Sequence, residues 1–150
     1  MIGSKILLVD DEAVFTKNMS RLLDARGYRS LAVNSGAEAI RALENEDFDV
    51  VVLDLKMPGM DGLTTLKEIH KLGLFTQTLM LTGHGSIDSA LEAVKLGAYD
   101  YLTKPCEIDE LVAKIEGAWD KKDDLQKQDI QEKIQKVIES PHDAFRVFAK

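Results

Sequence analysis

Residues 49–62 read DVVVLDLKMPGMDG, and the order of apolar, acidic and turn residues in this stretch decides the fold. Val50, Val51, Val52 and Leu53 are apolar at every position rather than at every second one. That is the pattern of a strand buried on both faces, as in a parallel sheet covered by helices. The run stops on Asp54, and Pro58-Gly59 turns the chain soon after. Asp54 is therefore predicted at the carboxyl end of a central strand, the edge of an open α/β sheet where ligands and chemistry gather.

The same sentence of residues recurs on either side. Upstream, residues 6–9 form a short apolar run that ends in Asp10, Asp11 and Glu12. From 13 to 26, Val14, Phe15, Met19, Leu22 and Leu23 recur at helical spacing, and Gly27 stands where a left-handed cap closes a helix. Residues 30–33 read as a weaker strand, and Ser35 with Glu38 makes a capping box for a helix over 36–45. Downstream, Leu63, Leu66, Ile69 and Leu72 carry a third helix with Gly73 near its end. Residues 78–81 form a fourth buried strand, running into Thr82-Gly83-His84-Gly85. Ser86 is placed to cap the next helix, with Ile87, Ala90, Leu91 and Val94 as its apolar positions and Gly97 as its stop. A fifth strand over 99–103 gives way to Lys104 and Pro105, and Ile108, Leu111, Val112 and Ile115 define a helix reaching at least to Trp119.

Strands alternating with helices in this way predict an α/β domain: a doubly wound, five-stranded parallel sheet of order 2-1-3-4-5, flavodoxin-like, with helices on both faces and a C-terminal helical tail. Residues 1–119 would form the domain and 120–150 the tail. At 150 residues the chain is long enough for one domain with a real core. Its 45% apolar and 30% charged residues fit a globular protein. The net charge of −7 argues against a nucleic-acid-binding surface and leaves room for a carboxylate site that holds a cation. Cys106 is the only cysteine, which excludes an internal disulfide and a cysteine cluster for zinc. The amino terminus, MIGSKILLVDDE, turns acidic too soon for a signal peptide or a membrane span, so a cytoplasmic protein with no membrane contact is expected.

In the order 2-1-3-4-5 the first and third strands are neighbours, and their ends share one crevice. Asp10 and Asp11 come from one and Asp54 from the other. Three converging carboxylates repel unless something positive joins them. A hard divalent cation, Mg2+, suits an all-oxygen site that keeps several waters, and no His or Cys lies beside these acids to favour zinc. Thr82 supplies a hydroxyl at the fourth strand end and Lys104 a fixed positive charge at the fifth. With a metal, these are the parts that stabilise charge on a transferring phosphoryl group. A carboxylate can itself be the nucleophile, and Asp54 stands between the acid pair on one side and Thr82 with Lys104 on the other.

KILLVDDE at 5–12, DVVVLDLKMPGMDG at 49–62, LTGHGS at 81–86 and GAYDYLTKPCEIDEL at 97–111 make the chain resemble the receiver domain of two-component response regulators, over about three quarters of its length. The resemblance implies a role for each matching residue. Asp54 would be the phosphoacceptor and Asp11 the main metal ligand, with Asp10 assisting and the backbone carbonyl of Lys56 completing the protein's ligands to Mg2+. Thr82 would be a switch hydroxyl, Tyr101 its aromatic partner, and Lys104 the cation that contacts the phosphoryl group. The Lys104-Pro105 bond would be cis, and Gly83 would leave the approach to Asp54 open. Lys56 and His84 would flank the route of the attacking water. The implied partners are a sensor histidine kinase or phosphotransfer protein and a downstream effector protein, reached through the face of the fourth helix, fifth strand and fifth helix, with no direct contact to nucleic acid.

Two other classes compete. An aspartate-nucleophile phosphohydrolase of haloacid dehalogenase type needs a second acid two residues after the nucleophile, where this chain has Lys56. A flavin binder of flavodoxin type needs a Ser, Thr and Gly-rich loop after the first strand, where this chain has Asp10, Asp11 and Glu12. The long phrase around LTGHGS is most similar to receivers that precede ATPase-type transcriptional activators, so a receiver portion of a larger activator is a further reading.

Residues 120–129 are charged with Leu125 as their one apolar residue, which gives little support to a coiled coil continuing from the fifth helix. Ile130, Ile134, Val137 and Ile138 then form a short amphipathic stripe. Ser140-Pro141 starts another helical turn, and Phe145, Val147 and Phe148 follow. Apolar groups at a polar terminus ask for cover: the tail folds back on its own domain, joins a homodimer or docks on another protein. Thirty residues are too few for an independent output domain. His70 and His142 are expected in solvent and Cys106 to be inert.

Overall fold

The structure is a computed structural model that describes residues 3–83 and 87–143. The expectations for His84, Gly85 and Ser86, and for Phe145, Val147 and Phe148, fall outside these residues.

Among the described residues the elements run β1 (Lys5–Val9), α1 (Ala13–Ala25), β2 (Arg29–Val33), α2 (Gly36–Asn45), β3 (Val50–Asp54), α3 (Gly62–Lys71), β4 (Gln77–Thr82), α4 (Ile87–Lys95), β5 (Asp100–Thr103) and α5 (Ile108–Glu139), with a 3-10 turn at Pro141–Asp143. The five strands form one sheet of order β2-β1-β3-β4-β5, every pair parallel, as the sequence pattern predicts. All of β3 is buried. Alternation divides it between two cores: Val51 and Leu53 face α2, α3 and α4, with Ala39, Leu66, Ile69 and Ala93, while Val50 and Val52 face α1 and α5, with Met19, Leu23, Leu111 and Ile115. A strand with a hydrophobic layer on each side has no polar face to show, which is why its sequence is an unbroken apolar run.

The helix ends follow their local chemistry. Ser35 Oγ accepts the Glu38 backbone N–H at 3.1 Å, and the Glu38 carboxylate returns to the Ser35 hydroxyl. Gly27, just past α1, has φ +92, a conformation that a side chain would strain.

Two helices bury different residues from those their apolar pattern suggests. In α1, Val14 and Leu22 are exposed and Thr16 is buried with Met19 and Leu23. In α4, Ile87, Leu91 and Val94 are exposed, and Ala90 and Ala93 make the core contact. Small residues on the inner face bring this helix close to the sheet and turn its larger aliphatic side chains outward.

The tail is helical, as the sequence predicts, and it joins the fifth helix without a break. α5 runs without a break from Ile108 to Glu139, through the charged stretch that lacks an apolar stripe. Ion pairs one turn apart, Lys127 with Asp123 at 2.8 Å and Lys133 with Asp129 at 3.1 Å, line its polar surface. Lys122 reaches Asp49 at the foot of β3, and Leu125 lines a cleft with Ile69, His70 and Leu74. Beyond that point Ile130, Ile134 and Ile138 are 53%, 49% and 67% exposed. Through Glu139 the tail is helical, and it leaves Ile130, Ile134 and Ile138 exposed.

Candidate functional site

Parallel strands end together, and here the carboxyl ends of β1, β3, β4 and β5 converge. Val9 pairs with Leu53, so the next residues, Asp10 and Asp54, stand side by side. Strand alternation also decides which side chains meet. Asp10, Asp54 and Lys104 continue the parity of Leu8, Val52 and Leu102, which face the α1 and α5 layer. Thr82 keeps the parity of Met80, on the opposite face, against which Tyr101 also packs.

Asp10, Asp11 and Asp54 each offer a carboxylate oxygen within 4.8 Å of the others. Asp10 is 1% and Asp54 6% exposed, whereas Asp11 lies on the surface and opens the cluster to solvent. Asp10 is fixed in two ways: its Oδ1 accepts the Glu12 N–H at 3.0 Å, and its backbone carbonyl accepts from Asn34 Nδ2 at 2.8 Å. Lys104 reaches across from the end of β5, with Nζ 2.5 Å from Asp10 Oδ2, 3.5 Å from Glu12 Oε1 and 3.7 Å from Asp54 Oδ1. The Lys104-Pro105 peptide bond is cis, as the resemblance implies.

Burial, and then the neighbouring Asp10 carboxylate, push the Asp54 carboxyl up to about 6, with a smaller upward push from Asp11. The Lys104 ammonium and the Lys56 backbone N–H, which bonds the carboxylate, pull the other way without cancelling it. For Lys104 the balance reverses. Burial alone would lower it, but the hydrogen bond and charge of Asp10, helped by Asp54 and Glu12, hold it above the ordinary lysine range. Among the described residues the site thus contains more negative charge than Lys104 neutralises.

The remaining predicted residues surround this cluster. Lys56 is exposed and meets Asp54 through its main chain. Thr82 is 0% exposed and its hydroxyl donates to the Gly83 carbonyl at 3.2 Å. Among the described residues nothing lies within 4 Å of the place a Cβ on Gly83 would occupy. Tyr101 is half-buried on the Thr82 side of the sheet. The structure gathers Asp10, Asp11, Asp54 and Lys104 into contact and sets the Thr82 and Tyr101 side chains on the other face. Cys106 is half-buried, and burial together with Glu110 pushes its thiol up, away from the reactive thiolate. His70 and His142 are exposed.

Three supporting residues escape a reading of the sequence. Asn34 fixes the Asp10 main chain from the end of β2, and polar residues after a strand are too common to signal that. Phe15 is one of several apolar residues at helical spacing in α1, yet its ring lies 4.5 Å from Lys104 Nζ. Gly62 opens α3 so close to β3 that a Cβ would come within 2.4 Å of the Asp54 carbonyl and 2.6 Å of Leu55 Cα. A glycine right after Met60-Asp61 in a turn is a usable signal for such close approach.

Residues 6–116 match the response regulator receiver domain family. The transcriptional regulatory protein ZraR of Escherichia coli is 41% identical over 113 residues, which cover 75% of this chain and 26% of ZraR. The DNA-binding transcriptional regulator NtrC of Escherichia coli is 38% identical over 113 residues, 75% of this chain and 24% of NtrC. A receiver domain protein from Clostridium thermocellum superposes with a TM-score of 0.78 at 39% identity, covering 81% of this chain and 98% of that one. The chain belongs to the response regulator receiver domain family, the phosphoacceptor switches of two-component signalling. It spans about a quarter of the length of ZraR and NtrC. Among the described residues no helix is long and apolar enough to cross a membrane.

Proposed function

We propose that Asp54 accepts a phosphoryl group from the phosphohistidine of a sensor histidine kinase or phosphotransfer protein in the cytoplasm. The observation that carries this reading is the Asp54 carboxylate, buried at the end of the central strand, with Asp10 and Asp11 within 4.8 Å and Lys104 Nζ at 3.7 Å. In the transfer the N–P bond of the donor breaks, an O–P bond forms to an Asp54 oxygen, and the electron pair stays on the imidazole nitrogen. Asp54 attacks as the anion. Lys104 shifts its ammonium from Asp10 toward the oxygens of the incoming group, and the Lys56 N–H steadies the acceptor carboxylate.

The donor set fits a hard divalent cation: three carboxylates, a net negative charge that one lysine leaves unneutralised, and an exposed Asp11 through which the ion and its waters enter. Mg2+ would be held by Asp10, Asp11, Asp54 and the Lys56 carbonyl, and when bound it neutralises charge on the phosphoryl oxygens. Thr82 then turns toward the new charge and Tyr101 fills the space it leaves, which biases the α4, β5 and α5 face toward an effector protein. That is a population shift driven by a local charge. The same groups assist loss of the phosphoryl group to water.

Residues 1–119 carry this chemistry, and residues 120–150 dimerise or dock. The exposed Ile130, Ile134 and Ile138 support that role. A transcriptional output downstream is favoured by the names of the relatives ZraR and NtrC. With a net charge of −7 over the whole sequence, contact with DNA belongs to an effector rather than to this domain.

Intact mass after incubation with a small phosphoryl donor and Mg2+ tests the assignment. The expected result is one labile phosphoryl adduct that is lost in Asp54→Asn and in the presence of a chelator. Donor turnover without an adduct, or an adduct retained in Asp54→Asn, overturns it.

A further inference from the structure

The ring of Phe15 lies against the Lys104 ammonium, with Nζ 4.5 Å from the ring centroid. Phe15 stands in the first turn of α1 and packs half-buried against the core cluster between the sheet and the α1 and α5 layer. That packing fixes the ring whatever the lysine does. Among the described residues the ammonium also meets carboxylate oxygens, of Asp10 at 2.5 Å, Glu12 at 3.5 Å and Asp54 at 3.7 Å.

These neighbours compete. Lysine is a compact charge on a flexible four-carbon stem, and the nearest carboxylate sets where that charge sits. Here the nearest is Asp10, yet the reacting group belongs to Asp54. A hydrogen bond to Asp10 is directional and must break before the ammonium moves. The face of an aromatic ring attracts a cation without claiming a particular N–H. The charge can therefore pivot between two carboxylates while it stays over the ring.

We infer that Phe15 is a positioning residue for Lys104: its ring seats the ammonium at the rim of the site and keeps it there as it passes from Asp10 to the phosphoryl group on Asp54. The inference rests on the reading of Asp54 as phosphoacceptor. A Leu at this position would keep the apolar packing and lose the charge-binding face.

Fluorination separates the two roles, because it draws electron density from the ring face and leaves its shape nearly unchanged. With 3,5-difluoro- and 3,4,5-trifluorophenylalanine at position 15, the rate constant for Asp54 phosphorylation by a small donor falls stepwise. Phe15→Leu lowers it about three- to tenfold. Thermal midpoints of the fluorinated proteins stay at the wild-type value. In the metal-free protein, the Lys104 side-chain protons resonate upfield in the ring current of Phe15 and return to ordinary lysine shifts in Phe15→Leu. Undiminished rates across the fluorinated series, or lysine shifts that ignore Phe15→Leu, overturn the inference while the phosphoacceptor reading stands. Failure of the wild type to take up a phosphoryl group overturns both.

Discussion

The Asp49 carboxylate joins Lys5 to Lys122: its Oδ2 accepts the Lys5 backbone N–H and its Oδ1 accepts from Lys122 Nζ, each at 2.8 Å. One side chain, placed directly before β3, thus ties the foot of the first strand to the fourth turn of α5. Its loss leaves the Lys5 N–H without its side-chain acceptor and Lys122 with the weaker partner Gln126 Oε1 at 3.5 Å, while loss of Lys122 removes only a half-buried ion pair. Asp49→Ala should cost about 2 kcal/mol in urea denaturation and Lys122→Met about 0.5–1 kcal/mol. Both should speed amide exchange around residues 120–126. Equal costs for the two variants would mean that Asp49 does not hold the strand.

The burial of Asp54, beside the Asp10 carboxylate, makes a prediction about pH. Its carboxyl is raised from 3.8 to about 6 in the folded protein. The folded state therefore binds this proton more tightly than the unfolded chain. The resulting stability is fully present below pH 3.8 and is lost as pH rises through 6. The loss amounts to at most about 3 kcal/mol. In chelator, Asp54→Asn should be more stable than the wild type at pH 8, and the gap should shrink by about half at pH 5. A gap that is constant with pH would show that Asp54 is unstrained when ionised.

Lys104 pairs with both Asp10 and Asp54, so its removal should act in opposite directions on two measurements. Lys104→Ala should bind Mg2+ at least about tenfold more tightly by calorimetry, because the competing charge is gone. The same variant should be phosphorylated more slowly by a small donor. Unchanged metal affinity would place the ammonium outside the field of the site.

Gly62 tests how closely the loop after β3 is built. A methyl group there meets main-chain atoms of Asp54 and Leu55, which have no rotamer by which to retreat. Gly62→Ala should destabilise the domain by about 2–3 kcal/mol and slow phosphorylation by shifting the acceptor. Wild-type stability would show that the loop yields freely.

The sheet was legible because its strands are buried on both faces, and double burial writes itself as uninterrupted runs such as residues 50–53. The acid cluster was legible for a related reason: Asp10 and Asp54 interrupt such runs at the same end of adjacent strands. What the sequence hid depends on neighbours distant in the chain. Nothing near Phe15 announces a lysine from the far end of β5, and nothing near Thr82 says that its strand parity is opposite to that of Asp54. The outward turn of Ile87, Leu91 and Val94 comes from how closely Ala90 and Ala93 approach the sheet. The continuity of α5 was concealed by charge, since the periodicity that marks a helix is the mark of a buried face. A solvated helix needs only good helix formers, ion pairs one turn apart and no breaker, and no proline occurs between Pro105 and Pro141.

The bond between Asp49 and Lys122 also sets the mechanics of that helix. From Ile108 to Lys122 is about 21 Å along the axis, and from Lys122 to Ile138 about 24 Å. The first length is clamped to the sheet by the buried Leu111, Ile115 and Ala118, and the bond to Asp49 comes where the second length, which carries the exposed isoleucines, begins.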